Sequence, residues 1–538
     1  MKSKIYIKDW LLLKPYKKHS KTDLYYLKLS NSVKRAINNG NTFTLYRFLD
    51  ENDINLLSCF LTSYFEDIIS ETNVWNSFTA KHTELYGKRL PFFNTDIYFE
   101  NEVNPQDVAF LIWYFINTIQ QNTFIGPYSE FILDIGTSIA DVLEEEYEYA
   151  PENEVLKSCY SLNPETDDYY KIREFLEKIF NKTYLFYIDT ALSLTDLELD
   201  IIKEKKDDEE FLLNYLRENR DKFLFRATTK LLSLHAQEWA SLILGKEHPL
   251  TPEIENLSPR ISGLFLYKSK NESSIYLEHI SSGRKFELKK SSFEAHIFLD
   301  KKDTMIYIGM VQWKGEWWFS GISFHQDYDE EIILNEKNSL ESHSVVNFID
   351  HKERGQEVKE ALELHKNAFI NYNNGSQIAF LKSNEIDDFV TNYYKYFNAS
   401  LKLNNKENDP FDDLENDFCV EKEKILEFPE DEKNALVFFN PVSGLEFAFG
   451  VNNAFPVKEN PFYEEPFSNE DFFNLLISKD FSKELVLYCV ENFKEKLPFF
   501  NSEPTKNYEQ DLDFLLRFFK ANEYHSKANI TFSGRNKI

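Results

Sequence analysis

The sequence predicts a multidomain α+β protein: a helical N-terminal domain, a small antiparallel β-barrel-like middle module and an α+β C-terminal domain. Three observations carry that prediction. Apolar residues recur at intervals of three and four as far as about residue 245, Pro249, Pro252 and Pro259 then crowd a short span, and from Ile261 the apolar period falls to two. The expected domains are 1–245, 260–325 and 350–538, the last interrupted by a charged, Pro-containing connection at about 404–434. With 538 residues, 49 of them Phe and 30 Tyr, the chain can bury large cores and has too many aromatics to stay disordered.

In the helical part, Asn104 can cap, Pro105 suits the first helical position and Asp107 suits the positive end of the helix dipole. The run Val108–Ile116 that follows is apolar nearly all round and should be central. A second helix is expected over 129–147, with Phe131, Ile135, Ile139 and Val142 on one side. Further helices are expected at 166–192, 208–219 and 221–244, the last stopped by Gly245.

Short strands are expected at 263–267, 274–280, 285–289, 295–299, 304–313 and 316–322. Ser282-Gly283 and Lys314-Gly315 supply hairpin turns. So many short strands need closure or a helical cover for their edges, hence the barrel-like module. Beyond it, 353–371 and 385–401 read as helices, 377–382 as a strand, 435–440 and 445–450 as a hairpin, and 469–478, 483–494 and 509–520 as helices.

The charge balance sorts partners. Ninety acidic against 61 basic side chains give a net charge of −29, which opposes binding to a phosphate backbone or an anionic membrane and favours another protein, in particular a basic one. Cys59, Cys159, Cys419 and Cys489 are widely spaced, without a Cys-x-x-Cys pair, and are expected to be reduced. The charged start Met1–Trp10 does not fit a signal peptide, and the longest apolar run is too short to cross a bilayer. A soluble cytoplasmic protein is expected.

Standard nucleotide-binding, zincin and esterase motifs are missing from the sequence, and no two of its 11 histidines stand at a metal-binding one-turn spacing. No metal and no cofactor are expected. The carboxylates of 409–417 lack the alternation and central Gly of a calcium loop and read as solvated linker. Glu278, Glu287 and Lys289 on adjacent strands are the residue types with which a metal-dependent nuclease holds a cation and orients water. The competing reading is an ordinary cross-strand charge pattern.

Trp313-Lys-Gly-Glu-Trp-Trp-Phe319 is the most unusual segment. A two-residue turn at Lys314-Gly315 places Trp313 opposite Glu316, Gln312 opposite Trp317, Val311 opposite Trp318 and Met310 opposite Phe319. Ile308, Met310, Trp317 and Phe319 then face the core. Trp313, Val311 and Trp318 share the other face with Gly309 and Ser320, whose small side chains leave room for something to lie across it. The occupant is either the chain's own N-terminal part or a ligand stacked on Trp313 and Trp318.

The opening Lys4–Trp10, the run Thr22–Leu29 and this Trp-rich hairpin together resemble an uncharacterised family of bacterial cytoplasmic proteins of unknown function. The resemblance implies the bacterial setting and no activity. The leading expectation is a non-enzymatic adaptor or protein–protein interaction protein. The alternatives are a metal-dependent hydrolase or nuclease using Glu278, Glu287 and Lys289, and an acidic decoy of a nucleic-acid-binding protein.

Overall fold

Pro105 at the first turn and twelve consecutive buried positions from Asp107 to Thr118 make Pro105–Ile119 the central helix of the N-terminal part. Asn104 stands at its N-cap, but its Oδ1 accepts from Phe99 N (3.0 Å) and so ties down the preceding loop. Glu130–Glu144 packs on the central helix with Phe131, Ile132, Ile135 and Ile139 buried. Gly136 permits the close approach, since a Cβ there would stand 3.2 Å from the Ala109 backbone. The helix expected over 166–192 starts at Tyr169, where Asp168 accepts from Tyr170 N, and stops at Lys182. The chain re-enters helix at Tyr184 and continues through a π-helical turn to Glu204. The region expected as 208–219 and 221–244 is instead one helix, Glu209–Arg226, then an irregular stretch and Ala236–Leu244.

The computed structural model describes residues 4–39, 42–206, 209–346, 349, 351–403, 433–464, 469–501 and 508–525. Two compact units divide the chain, Met1–Ile349 and Asp350–Ile538. The first holds both the helical part and five strands: β1 (Ile261–Lys270), β2 (Ser274–His279), β3 (Lys285–Lys289), β4 (Met305–Trp313) and β5 (Glu316–Gln326). They pair in the order β1-β2-β3-β5-β4, with β4 pairing back to β1. The expected all-antiparallel arrangement is corrected at one seam. There β3 and β5 run parallel and meet only at Leu288 and Trp317, because β4 lies between them in sequence and turns the chain twice. Phe265, Ile275, Leu277, Phe286, Leu288, Ile306, Ile308 and Met310 fill the interior.

The segment expected as a strand at 295–299 is a 3-10 turn, Glu294–Phe298. Its alternating apolar residues misled: Phe293 and Leu299 are buried while Ile297 and Phe298 point outward. The hairpin at Lys314-Gly315 forms in the anticipated register, both residues having positive φ (49° and 81°).

In the second unit, β6 (Ile378–Lys382), β7 (Asn434–Asn440) and β8 (Gly444–Phe449) form an antiparallel sheet in sequence order. The helices His351–Tyr372 and Ile386–Leu403 cover it through Phe369, Val390 and Tyr393. Nearly all of the expected connection at 404–434, including Cys419 and the acidic run 409–417, lies outside the described residues. Among the described residues no helix is long and apolar enough to cross a membrane. Cys59 and Cys489 are buried free thiols.

Candidate functional site

The outer face of β4 and β5 is the most heavily built surface in the first unit. Val311, Gly309 and Tyr307 alternate on β4 opposite Trp318, the bulge at 320–322 and Phe324 on β5. Arg260, just before β1, lies across the middle of this face. Its Nη1 and Nη2 donate to the two carboxylate oxygens of Glu218 at 3.0 and 2.6 Å, and Nη2 also reaches Ser320 O at 3.1 Å. Arg173 binds Asp221 from the other side, at 3.0 Å from Nε to Oδ1. Ser320 Oγ donates to Asp221 Oδ2 at 2.6 Å, and Tyr307 Oη to Glu218 Oε1 at 2.9 Å. Glu218 and Asp221 stand almost one turn apart on the 209–226 helix, so that helix is clamped to the strands by the buried, fork-matched Arg260–Glu218 pair and by the Ser320–Asp221 bond. The absent side chains of Gly309 and Gly321 make this possible. A Cβ on either would stand 2.1 or 2.4 Å from Arg260 Nη2.

At the hairpin end this face is covered too. Trp313 is 1% exposed and its Nε1 donates to Asp167 O at 3.2 Å, while Trp318 is 8% exposed beneath Tyr169 and Tyr170, ring centroids 6.1 and 6.0 Å away. Lys289 Nζ lies 4.3 Å over the Trp318 ring and 2.6 Å from Glu316. Trp313 and Trp318 therefore pack under the chain's own 167–170 segment and offer no open stacking platform. Gly309 and Ser320 were the sequence signal for this cover. Arg260, Glu218, Asp221 and Arg173 carried none, because their pairing spans 42 to 48 residues in sequence.

Glu278, Glu287 and Lys289 share the outer face of β2 and β3, yet each is engaged separately. Glu278 lies 3.6 Å from Lys268, Glu287 accepts from Ser274 Oγ at 2.7 Å, and Lys289 holds Glu316. They do not converge on one cleft, and the cation-holding geometry of a nuclease is not assembled from them.

The far end of β5 differs from the hairpin end. Phe324 stacks on Tyr307 (4.8 Å, 5°) and Phe298 on His325 (6.2 Å, 11°). Their outer surfaces are open, Phe324 at 53% exposure, Phe298 at 62% and Ile297 at 59%. Exposed Asp300, Asp327, Asp329, Glu330 and Glu331 rim this end. A cleft of about 330 Å³ lies beside β5, lined by Tyr170, Ser291, Phe293, Ala295, Phe319 and Ser323 among others. That volume is at the small end of binding sites.

One further acid is perturbed by burial. Asp107 Oδ2 accepts from Tyr64 Oη (2.8 Å), Tyr98 Oη (2.8 Å) and Trp75 Nε1 (3.1 Å), and Oδ1 is buried without a hydrogen-bond partner among the described residues. Burial pushes its pKa up to about 7, the three donors offsetting only part of that rise. The side chain that suited the helix dipole in the sequence is thus a buried titrating group. Its neighbours Tyr64 and Trp75 seal it from substrate, so it carries no accessible chemistry.

Comparison with known proteins adds a family and no chemistry. No curated protein matches the chain, and no solved structure does. A protein-family model described as "Protein of unknown function (DUF3843)" matches residues 4–307, from the first helix through the clamp residues into β4. That match covers more than half of the sequence and includes Arg173, Glu218, Asp221 and Arg260, so the chain belongs to the DUF3843 family.

Proposed function

We propose that this chain is a non-enzymatic protein-interaction protein and that the open end of β5 is its contact surface. The observation that carries the reading is the exposure of two aromatic stacks at the end of β5, Phe324 on Tyr307 from one face of the strand and Phe298 on His325 from the other, with Ile297 exposed next to Phe298. Large exposed aromatics fixed by their neighbours are the composition of a protein–protein contact, since they bury much area and lose little side-chain entropy on binding. The acidic rim and the net charge of −29 favour a basic partner. The cytoplasmic setting belongs to the same proposal and is supported by the buried, unbridged Cys59 and Cys489. So does a reading of the five-stranded ring as a small barrel with one weak seam. No observation favours the hydrolase, because Glu278, Glu287 and Lys289 are each occupied by other groups.

The test is affinity capture with tagged full-length chain at low and high salt, comparing wild type with the F298S/F324S double variant. A protein recovered by wild type at low salt, and depleted by the variant at unchanged melting temperature, is the expected result. Equal recovery by both chains, or no recovery by either, overturns the proposal.

A further inference from the structure

We infer that the open end of β5 binds its partner by strand addition, taking up an extended segment of alternating apolar and basic residues along the unpaired edge of β5. The inference rests on the interaction function proposed above and adds the binding mode and the partner's chemistry. Its starting point is the weak seam. Among the described residues β3 meets β5 only at Leu288 and Trp317, and then turns away at Lys290. At Phe319 two side chains stand in for the missing strand: Ser292 Oγ accepts from Phe319 N at 3.1 Å, and the Tyr170 hydroxyl, 2.7 Å from Ser292 O, also lies 3.2 Å from Phe319 O. The backbone N–H and C=O of Phe319 thus point away from β4. Phe319 faces Met310 on β4, Ser323 faces Ile308 and His325 faces Ile306. These partners follow one another at intervals of two residues on β4, so Ser323 and His325 share the parity of Phe319 in the ladder, and their backbone groups point to the same edge, which beyond Phe319 is unpaired among the described residues.

The cleft lies along that edge, with Ser323 and Phe319 on one wall and Ser291, Phe293 and Ala295 on the other. Strand addition satisfies the edge amides and places alternate side chains on opposite sides. One set meets the apolar side chains of the cleft, Phe293 and Ala295 on one wall and Phe319 on the other. The other set meets the exposed Glu294 in the cleft lining and, further along, the exposed Glu330 and Glu331, while Asp300 and Asp327 are paired with Lys270 and Lys301 and Asp329 caps the helix that follows β5. Charge complementarity therefore selects lysine or arginine at those positions.

The probe is a fluorescein-labelled octapeptide of alternating lysine and valine, titrated with full-length chain and followed by anisotropy. It is expected to bind. N-methylation of every peptide bond, which removes the backbone donors, is expected to weaken binding by about tenfold or more, as loss of one or two hydrogen bonds implies. Glutamate in place of lysine is expected to weaken it likewise. In the chain, Ser291→Trp fills the cleft from an exposed position and is expected to abolish binding without moving the melting temperature. No binding of the lysine–valine peptide, equal binding of the methylated peptide, or full affinity in the Ser291→Trp chain each overturns strand addition. The interaction function is judged separately: a captured protein that still depends on Phe298 and Phe324 would leave that function standing while the binding mode fell.

Discussion

Trp318 and Phe324 project from the same face of the same strand, opposite Val311 and Tyr307 on β4, and their fates differ. Trp318 lies under Tyr169 and Tyr170, and the segment between the two aromatics is pinned by Arg260, Glu218 and Asp221. Past that clamp the cover ends, and among the described residues Phe324 has Tyr307 as its one ring partner. What separates a packed aromatic from an available one is therefore where the 169–182 and 209–226 helices are fastened. Hydrophobicity along β5 does not separate them.

The comparison breaks most directly at the clamp. Arg260→Ala leaves Glu218 buried without its arginine, while Asp221 keeps Arg173, and should cost about 3–5 kcal/mol, the usual penalty for removing one partner of a buried pair. Denaturant titration of the full chain measures it. Trp318→Ala should cost a similar amount, about 3–5 kcal/mol, because it opens a cavity beneath Tyr169 and Tyr170. If Trp318→Ala were nearly neutral, the covered end would be no better packed than the open one.

Asp107 supplies a second contrast, between two buried acids with different donors. It is as deeply buried as Asp221 but has tyrosine and tryptophan donors in place of arginine. Its pKa in the folded chain, about 7, stands above the ordinary 3.8. A raised folded-state pKa means the proton stabilises the fold. That contribution is complete below about 4 and is lost as pH rises through about 7. Asp107→Asn should therefore remove about 2–3 kcal/mol of the stability difference between about pH 5 and about pH 8, since each pKa unit is worth 1.36 kcal/mol. Identical pH dependence of melting in both chains would refute it.

The contrast between the two ends of β5 was half legible in the sequence. The Lys314-Gly315 turn fixes a register, period-two alternation then assigns faces, and the small Gly309 and Ser320 mark where something must cross. Those are local signals. The identity of the crossing group was hidden, because Arg260 meets Glu218 across 42 residues and no local pattern encodes that pairing. The same buried acids, Glu218 and Asp221, interrupt the apolar period of the 209–226 helix and made one helix read as two. The open end was hidden for a related reason: Phe293, Ala295, Ile297 and Leu299 alternate as a strand would, but the chain leaves the sheet after Lys289 and runs through 3-10 turns at Lys290–Ser292 and Glu294–Phe298. Gly309→Ala tests the legible half. Its Cβ would meet Ser320 O at 2.2 Å as well as Arg260, and displacing them should cost about 1–3 kcal/mol, measurable as a lowered denaturation midpoint.

The smallest effect is expected where the function is proposed. Phe324→Ala removes a ring from an exposed position and should change stability by no more than about 0.5 kcal/mol, as substitutions at unconstrained surface sites do. Phe298→Ser should behave the same way. Both rings are held by one stacking partner each, so a larger loss would mean that they serve the fold, and the open end would then be another packed end seen without its cover. Near-neutral stability with lost capture of a partner would instead separate the two ends by purpose: aromatic area at Trp318 holds this chain together, and aromatic area at Phe324 is left for another.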